Sequence, residues 1–120
     1  MKAQPSLGHI SPCLIVGDVL RATRFYQEKL GFEIRYLAPE QEPFFAIVGR
    51  DSVQIHLKNV SDDSHVISPQ PNHTRHPWAP WDAFVFLTDP DGLAQEFASR
   101  GVRFHKAIQD TEDGLRGFEV

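Results

Sequence analysis

Cysteine is nearly absent: Cys13 is the single one in the chain. An intrachain disulfide is therefore excluded, and a reducing, cytoplasmic location is the expectation. No apolar run approaches the ~18 residues of a membrane-spanning helix, so no membrane partner is expected. Positive charge is not in excess either. Twelve Lys and Arg stand against sixteen Asp and Glu, a net charge of −4, whereas a general nucleic-acid binder shows a basic stripe. The opening MKAQPSLGHI has one lysine and no apolar core, so it does not read as a signal peptide. What is present fits a globular protein. The 120 residues, 41% apolar and 23% charged, are enough for one compact domain with a real core.

The most informative stretch is Cys13 to Tyr36. Leu14, Ile15 and Val16 form a short β-prone run. Gly17 and Asp18 break it, and the Asp18 carboxylate is a natural N-cap because it can accept from backbone N–H groups that lack a helical partner. Val19 to Leu30 contains no Pro or Gly, and Ala22, Phe25, Tyr26 and Leu30 fall near one helical face, which marks Phe25 and Tyr26 as core. Gly31 suits the left-handed position that ends a helix. Phe32, Ile34 and Tyr36 then alternate with Glu33 and Arg35, the period of a half-buried strand. Ala83 to Lys106 echoes this pattern. An apolar run over Phe84–Leu87 meets Asp89, Pro90 sits at the first helical position, Leu93 and Phe97 are four apart, and Gly101 precedes Val102-Arg103-Phe104. The two stretches read as one strand–helix–strand unit used twice.

In chain order, a first strand is expected over 9–16 and the helix over 19–30. Further strands follow at 32–36, 44–48 and 53–58, with a turn at 49–52. This is a β-α-β-β-β module over about 9–58. Residues 59–80 read as a linker holding four prolines with His65, His73, His76 and Trp78. The second module, about 81–120, offers a strand at 83–88, a helix at 89–100, a strand at 102–108 and a last strand at 115–120, one fewer than the first. The fold class is thus α+β, with two βαβββ-type modules forming a curved mixed sheet around a cleft and the second module lacking its last strand.

Faces follow from alternation. Val53, Ile55 and Leu57 should pack on the helix, leaving Gln54, His56 and Lys58 on the opposite face. Phe84 and Phe86 should face the second helix, and Phe118 should pack inward, turning Glu119 toward the side of His56. The open face is then a small-molecule cleft with His56, Gln54, Trp81, Ser11, Ala83 and Glu119 as candidate ligand-binding residues. His56 reads first as a plain strand histidine bonded to a neighbour, with an acid/base or orienting group as the less favoured reading. Glu119 reads as its carboxylate partner or as a solvated residue. Trp78 and Trp81 read as a stacking surface or as pins for the linker. The loop histidines are a poor metal tract, because prolines on both sides discourage the helix that would align them. Cys13 reads as a small buried hydrophobe.

Taken in order, Val16-Gly17-Asp18-Val19, Phe25-Tyr26, Leu30-Gly31-Phe32, Phe84 to Asp89, Arg100-Gly101-Val102 and Gly114 to Val120 resemble the vicinal oxygen chelate superfamily, which includes glyoxalase I, bleomycin-resistance proteins and extradiol dioxygenases. The resemblance implies a concave sheet around a cleft, often completed by a homodimer. In metal-using members a His or Glu stands on the first and fourth strands of each module. Matched by position, these are Ser11, His56, Ala83 and a residue on a strand after Val120, so one ligand of four is kept. The resemblance therefore implies no metal and no cofactor. It points to a binding protein of the bleomycin-resistance type that sequesters a small amphipathic or aromatic compound. A metal-dependent lyase or dioxygenase is the alternative. A third reading is an interaction module that pairs through its open sheet edge.

Overall fold

The protein is described by a computed structural model covering residues 5–60 and 81–120. The expectations placed on His65, His73, His76, Trp78 and most of the 59–80 linker lie outside the described residues. The elements are β1 (Cys13–Val16), α1 (Val19–Lys29), β2 (Glu33–Ala38), β3 (Phe45–Arg50), β4 (Val53–Asn59), α2 (Pro90–Ser99), β5 (Lys106–Asp110) and β6 (Arg116–Glu119). The fold is α+β. A mixed four-stranded sheet runs in the order β1-β4-β3-β2, and β5 pairs with β6 in a separate two-stranded ribbon. β1 is parallel to β4, and the other pairs are antiparallel.

Both helices begin and end as their residues dictate. The Asp18 carboxylate accepts from Arg21 N at 3.3 Å, and Asp89 accepts from Gly92 N at 3.0 Å. Asn59, at the end of β4, adds a cap that the sequence did not suggest, its Oδ1 accepting from Val19 N at 2.7 Å. Gly31 and Gly101 hold φ of 71° and 81° after the two helices, where an L side chain would be strained. The inner sheet face buries Ala46, Val48, Ile55 and Leu57 against Val19 of α1. Leu30, Phe97 and Val102 form a second cluster with Phe104 and Phe118, and Tyr26 and Phe32 touch both clusters. Phe118 thus packs inward as expected, edge-on to Phe97 with centroids 5.8 Å apart.

Several expectations are corrected. The first strand starts at Cys13 rather than residue 9, since Pro12 has no N–H to donate, although its carbonyl accepts from His56 N at 2.9 Å. The turn at 49–52 shrinks to Asp51-Ser52, with Gly49 and Arg50 inside β3. The strand expected at 102–108 begins only at Lys106. A register shift at Arg35 breaks the alternation of β2: Ile34 and Leu37 both pack on the core, while Tyr36 is 53% exposed. Residues 83–88 form no strand at all. β1 has β4 beside it, but among the described residues this segment has no neighbouring strand, and none of its backbone N–H or C=O groups is hydrogen-bonded to another backbone group there. Phe84 and Phe86 are consequently 53% and 82% exposed rather than packed on α2. Phe25 and Cys13, expected inside, are exposed as well.

The C-terminal ends of the two helices meet, and a cluster of charges holds them. Arg50 of β3 donates to both Glu96 oxygens at 2.6 and 2.8 Å and to Leu30 O at 2.9 Å. Arg100 donates to Glu96 at 3.1 Å and to Glu28 O at 3.2 Å, while Lys29 Nζ reaches Arg100 O at 2.9 Å. The hydrogen bond from Arg50, with the charges of Arg50 and Arg100, holds the Glu96 carboxyl below its ordinary range. A lowered acid stabilises the fold fully above its unfolded value, and that share is lost as pH falls through the folded value. Arg50→Ala should therefore cost about 1–2 kcal/mol near neutrality, allowing for the solvent that still reaches both groups. It should also flatten the acid limb of stability against pH. Urea titrations of both proteins across that limb check this, and an unchanged limb counts against the account.

Candidate functional site

An open cleft of about 420 Å³ lies between residues 10–12, the β3–β4 turn and start of β4 (52–55), and the unpaired segment 82–86. It brings together Ser11, Gln54 and Ala83 of the six candidates. Its walls are mainly apolar, from Ile10, Pro12, Val53, Phe84 and Phe86. The Ser11 hydroxyl is buried there and has no hydrogen-bond partner among the described residues. Such a group is costly to leave unmade, and a ligand atom entering the cleft can satisfy it.

Gln54 is positioned from behind by a residue that sequence reasoning passed over. Arg35 Nη1 donates to Gln54 Oε1 at 3.3 Å, while its other nitrogens reach Glu33 Oε1 at 3.0 Å and Asp51 O at 3.1 Å. The guanidinium lies directly over Gly49, where an added Cβ would come within 2.3 Å of Arg35 Cζ. The absence of a side chain at Gly49 is thus what lets Arg35 reach Gln54. With its oxygen engaged, the Gln54 amide keeps its N–H donors for the cleft. A glycine in a strand is the sequence signal that could have flagged this close approach.

His56 stands one step further along the open face, in a cross-strand row with Cys13, Ile47 and Tyr36. Its ring meets Phe45 edge-on at 5.5 Å, and Phe45 meets Tyr36 at 6.1 Å. Trp81 packs on Phe84 with centroids 6.0 Å apart, at the cleft's apolar wall. Glu119 lies apart from the cleft, on β6 opposite Lys106. Lys106 Nζ is 3.8 Å from Glu119 Oε2, close enough for charge attraction but too far for a hydrogen bond, and that oxygen has no other partner among the described residues. Asp82 approaches the Tyr26 phenol, whose pKa is raised first by burial and then by this carboxylate. A second, more open hollow of about 650 Å³ follows the outer flank of α1 along Asp18, Arg21 and Phe25.

The donor set does not suit a family-type metal. Of the matched positions that are described, Ser11 offers a hydroxyl, Ala83 a methyl, and His56 alone an imidazole. Among the described residues no three His, Cys, Asp or Glu side chains converge to hold an ion, whereas zinc takes three or four protein ligands.

The chain belongs to the Glyoxalase/Bleomycin resistance protein/Dioxygenase superfamily, whose model matches residues 6–119. Solved structures share the fold. TioX from Micromonospora sp. ML1 is 16% identical over 92% of this chain and 86% of its own, with a TM-score of 0.67. The bleomycin-binding protein from bleomycin-producing Streptomyces verticillus, complexed with copper(II)-bleomycin, is 21% identical over 96% and 87%, with a TM-score of 0.65. UcmS2 is 23% identical over 92% and 84%, with a TM-score of 0.62. No curated protein matches the chain.

Removing the orphaned hydroxyl tests whether it is held at a cost. Ser11→Ala should raise the stability of the ligand-free protein by about 1 kcal/mol. A denaturation midpoint that stays put or falls would show that the hydroxyl is satisfied in solution.

Proposed function

We propose that this protein binds a small amphipathic or aromatic molecule without a metal ion, as a sequestering protein of the bleomycin-resistance type. The observation that carries the reading is the apolar cleft with the unpartnered Ser11 hydroxyl on one wall and the Gln54 amide, fixed by Arg35, on another. Mostly apolar walls with a few placed polar groups suit a compact organic ligand. The exposed rings of Trp81, Phe84 and Phe86 extend one wall for stacking, and His56 with Phe45 and Tyr36 offers a second aromatic surface on the open sheet face. The complexed state of the Streptomyces neighbour supports a role in antibiotic resistance. A homodimer in the cytoplasm, built from two βαβββ-like modules in a single domain, completes the reading.

A thermal-shift screen of flat, amphipathic compounds, bleomycin among them, tests it. At least one compound should raise the melting temperature, and Ser11→Ala or Gln54→Ala should weaken its binding about tenfold, near 1.4 kcal/mol. If both variants bind as tightly as the native chain, the ligand sits elsewhere. Elemental analysis of the untagged protein checks metal independence: stoichiometric metal, lost in His56→Ala, would restore the lyase or dioxygenase reading.

A further inference from the structure

Glu33, Gly49 and Gln54 stand side by side across β2, β3 and β4 on the open face of the sheet. Arg35, displaced by the register shift in β2, lies over Gly49 and reaches along this row in both directions. It donates to Glu33 Oε1 at 3.0 Å and to Gln54 Oε1 at 3.3 Å. The second contact sets polarity as well as position. A side-chain amide has an accepting end and a donating end of nearly the same shape, whereas a guanidinium only donates. The Gln54 oxygen must therefore turn to Arg35, since the flipped amide would set N–H against N–H. Gln54 lines the cleft, so the group it shows a ligand is its NH2. Ser11, on the same lining, leaves the polarity open, because a hydroxyl both donates and accepts. The charge of Arg35 is matched by Glu33, and Asp82 adds a carboxylate to the lining. The cleft thus holds no surplus positive charge to draw an anion.

We propose that Arg35 is a specificity-determining positioning residue, which sets the cleft to take a flat aromatic compound by a neutral hydrogen-bond acceptor, a ketone or amide oxygen, set against the Gln54 NH2. The inference rests on the small-molecule reading above and narrows its ligand from amphipathic to acceptor-bearing. A ligand N–H at that point would leave donors facing donors, both cut off from water. A carboxylate would lose its hydration without gaining a cation. The apolar walls from Val53, Phe84 and Phe86 take the rest of the ring system. Gly49 belongs to the same device, because an added Cβ would stand 2.3 Å from Arg35 Cζ and push the guanidinium off the row.

Three tricyclic probes of one shape test this by equilibrium dialysis against the full chain. 9-Fluorenone carries only an acceptor, carbazole carries an N–H donor at the same place, and fluorene-9-carboxylate carries an anion there. The native chain should bind fluorenone about tenfold tighter than either of the others. Gln54→Glu keeps a partner for Arg35 but shows the cleft an acceptor, so it should reverse the order of fluorenone and carbazole. Arg35→Met and Gly49→Ala each free the Gln54 amide to turn, and should bring the two affinities to within about twofold of each other. A purely structural role for Arg35 would weaken both probes together and leave their ratio unchanged, which would overturn the inference. Equal binding of all three probes by the native chain, or a preference for carbazole or the carboxylate, keeps the small-molecule reading and overturns the acceptor. A native chain that binds no probe overturns the aromatic-ligand reading, and this inference with it.

Discussion

Two helices that end at the same place bring two negative dipole ends together, and the structure depends on how that conflict is resolved. The last carbonyls of α1 and α2 lack partners within their helices and repel one another. Three cations fill the junction, and each answers an end that is not its own. Arg50 comes from the sheet, Lys29 of α1 binds a carbonyl at the end of α2, and Arg100 from α2 binds one near the end of α1. Glu96 neutralises the excess, held by both arginines. Gly31 is required beneath this cluster twice over, by its positive φ and by Arg50 Nη1, which lies 2.9 Å from where its Cβ would stand. Through this junction the apolar cluster under the four-stranded sheet is tied to the one built on Phe97, and Tyr26 and Phe32 run between them.

The site inherits its form from a local irregularity. Without the register shift at Arg35, Tyr36 would point into the core with Ile34, and the open face would lose one of its three rings. The same shift places a guanidinium over Gly49, where it orders Gln54, Glu33 and the Asp51 carbonyl together. A bulge that re-aims side chains beside a cleft is a recurrent device, and here a residue outside the cleft sets the orientation of one inside it. At the far end of the ribbon, Arg116 does comparable work, bridging Asp91 in the first turn of α2 and Asp110 of β5. Its hydrogen bonds, and then its charge, lower the Asp91 carboxyl, and its own guanidinium is held protonated in return.

Much of the fold was legible because local chemistry decided it. Asp18 and Asp89 mark where the helices start, Gly31 and Gly101 where they stop, and the alternation from Val53 to Lys58 separates buried from open positions as observed. The family resemblance was also carried by these residues. What stayed hidden depended on neighbours distant in sequence. Residues 83–88 have every local property of a strand but no adjacent strand to bond among the described residues. The bulge at Arg35 leaves no mark in a pattern that alternates cleanly on paper. Cys13 looked like a core residue by type, yet it stands on the open face beside His56, because the parallel register with β4 fixes which way β1 faces. In the cleft, Ser11, Gln54 and Ala83 were found by position, whereas Arg35 emerges only from three-dimensional contact.

The parallel pairing of β1 with β4 has a consequence for how the cleft behaves in time. β1 is four residues long and, among the described residues, bonded along one side, and its partner comes from the far end of the first five elements. Closing so long a loop costs entropy that a short strand recovers only in part. β1, which follows directly on Ser11, is therefore the piece of the sheet most prone to local opening. Amide hydrogens of Cys13 to Val16 should exchange with solvent well before those of β3 at its centre. A molecule seated against Ser11 would act as a clasp on that strand, so occupancy of the cleft would be written into the exchange rates of a segment it barely touches.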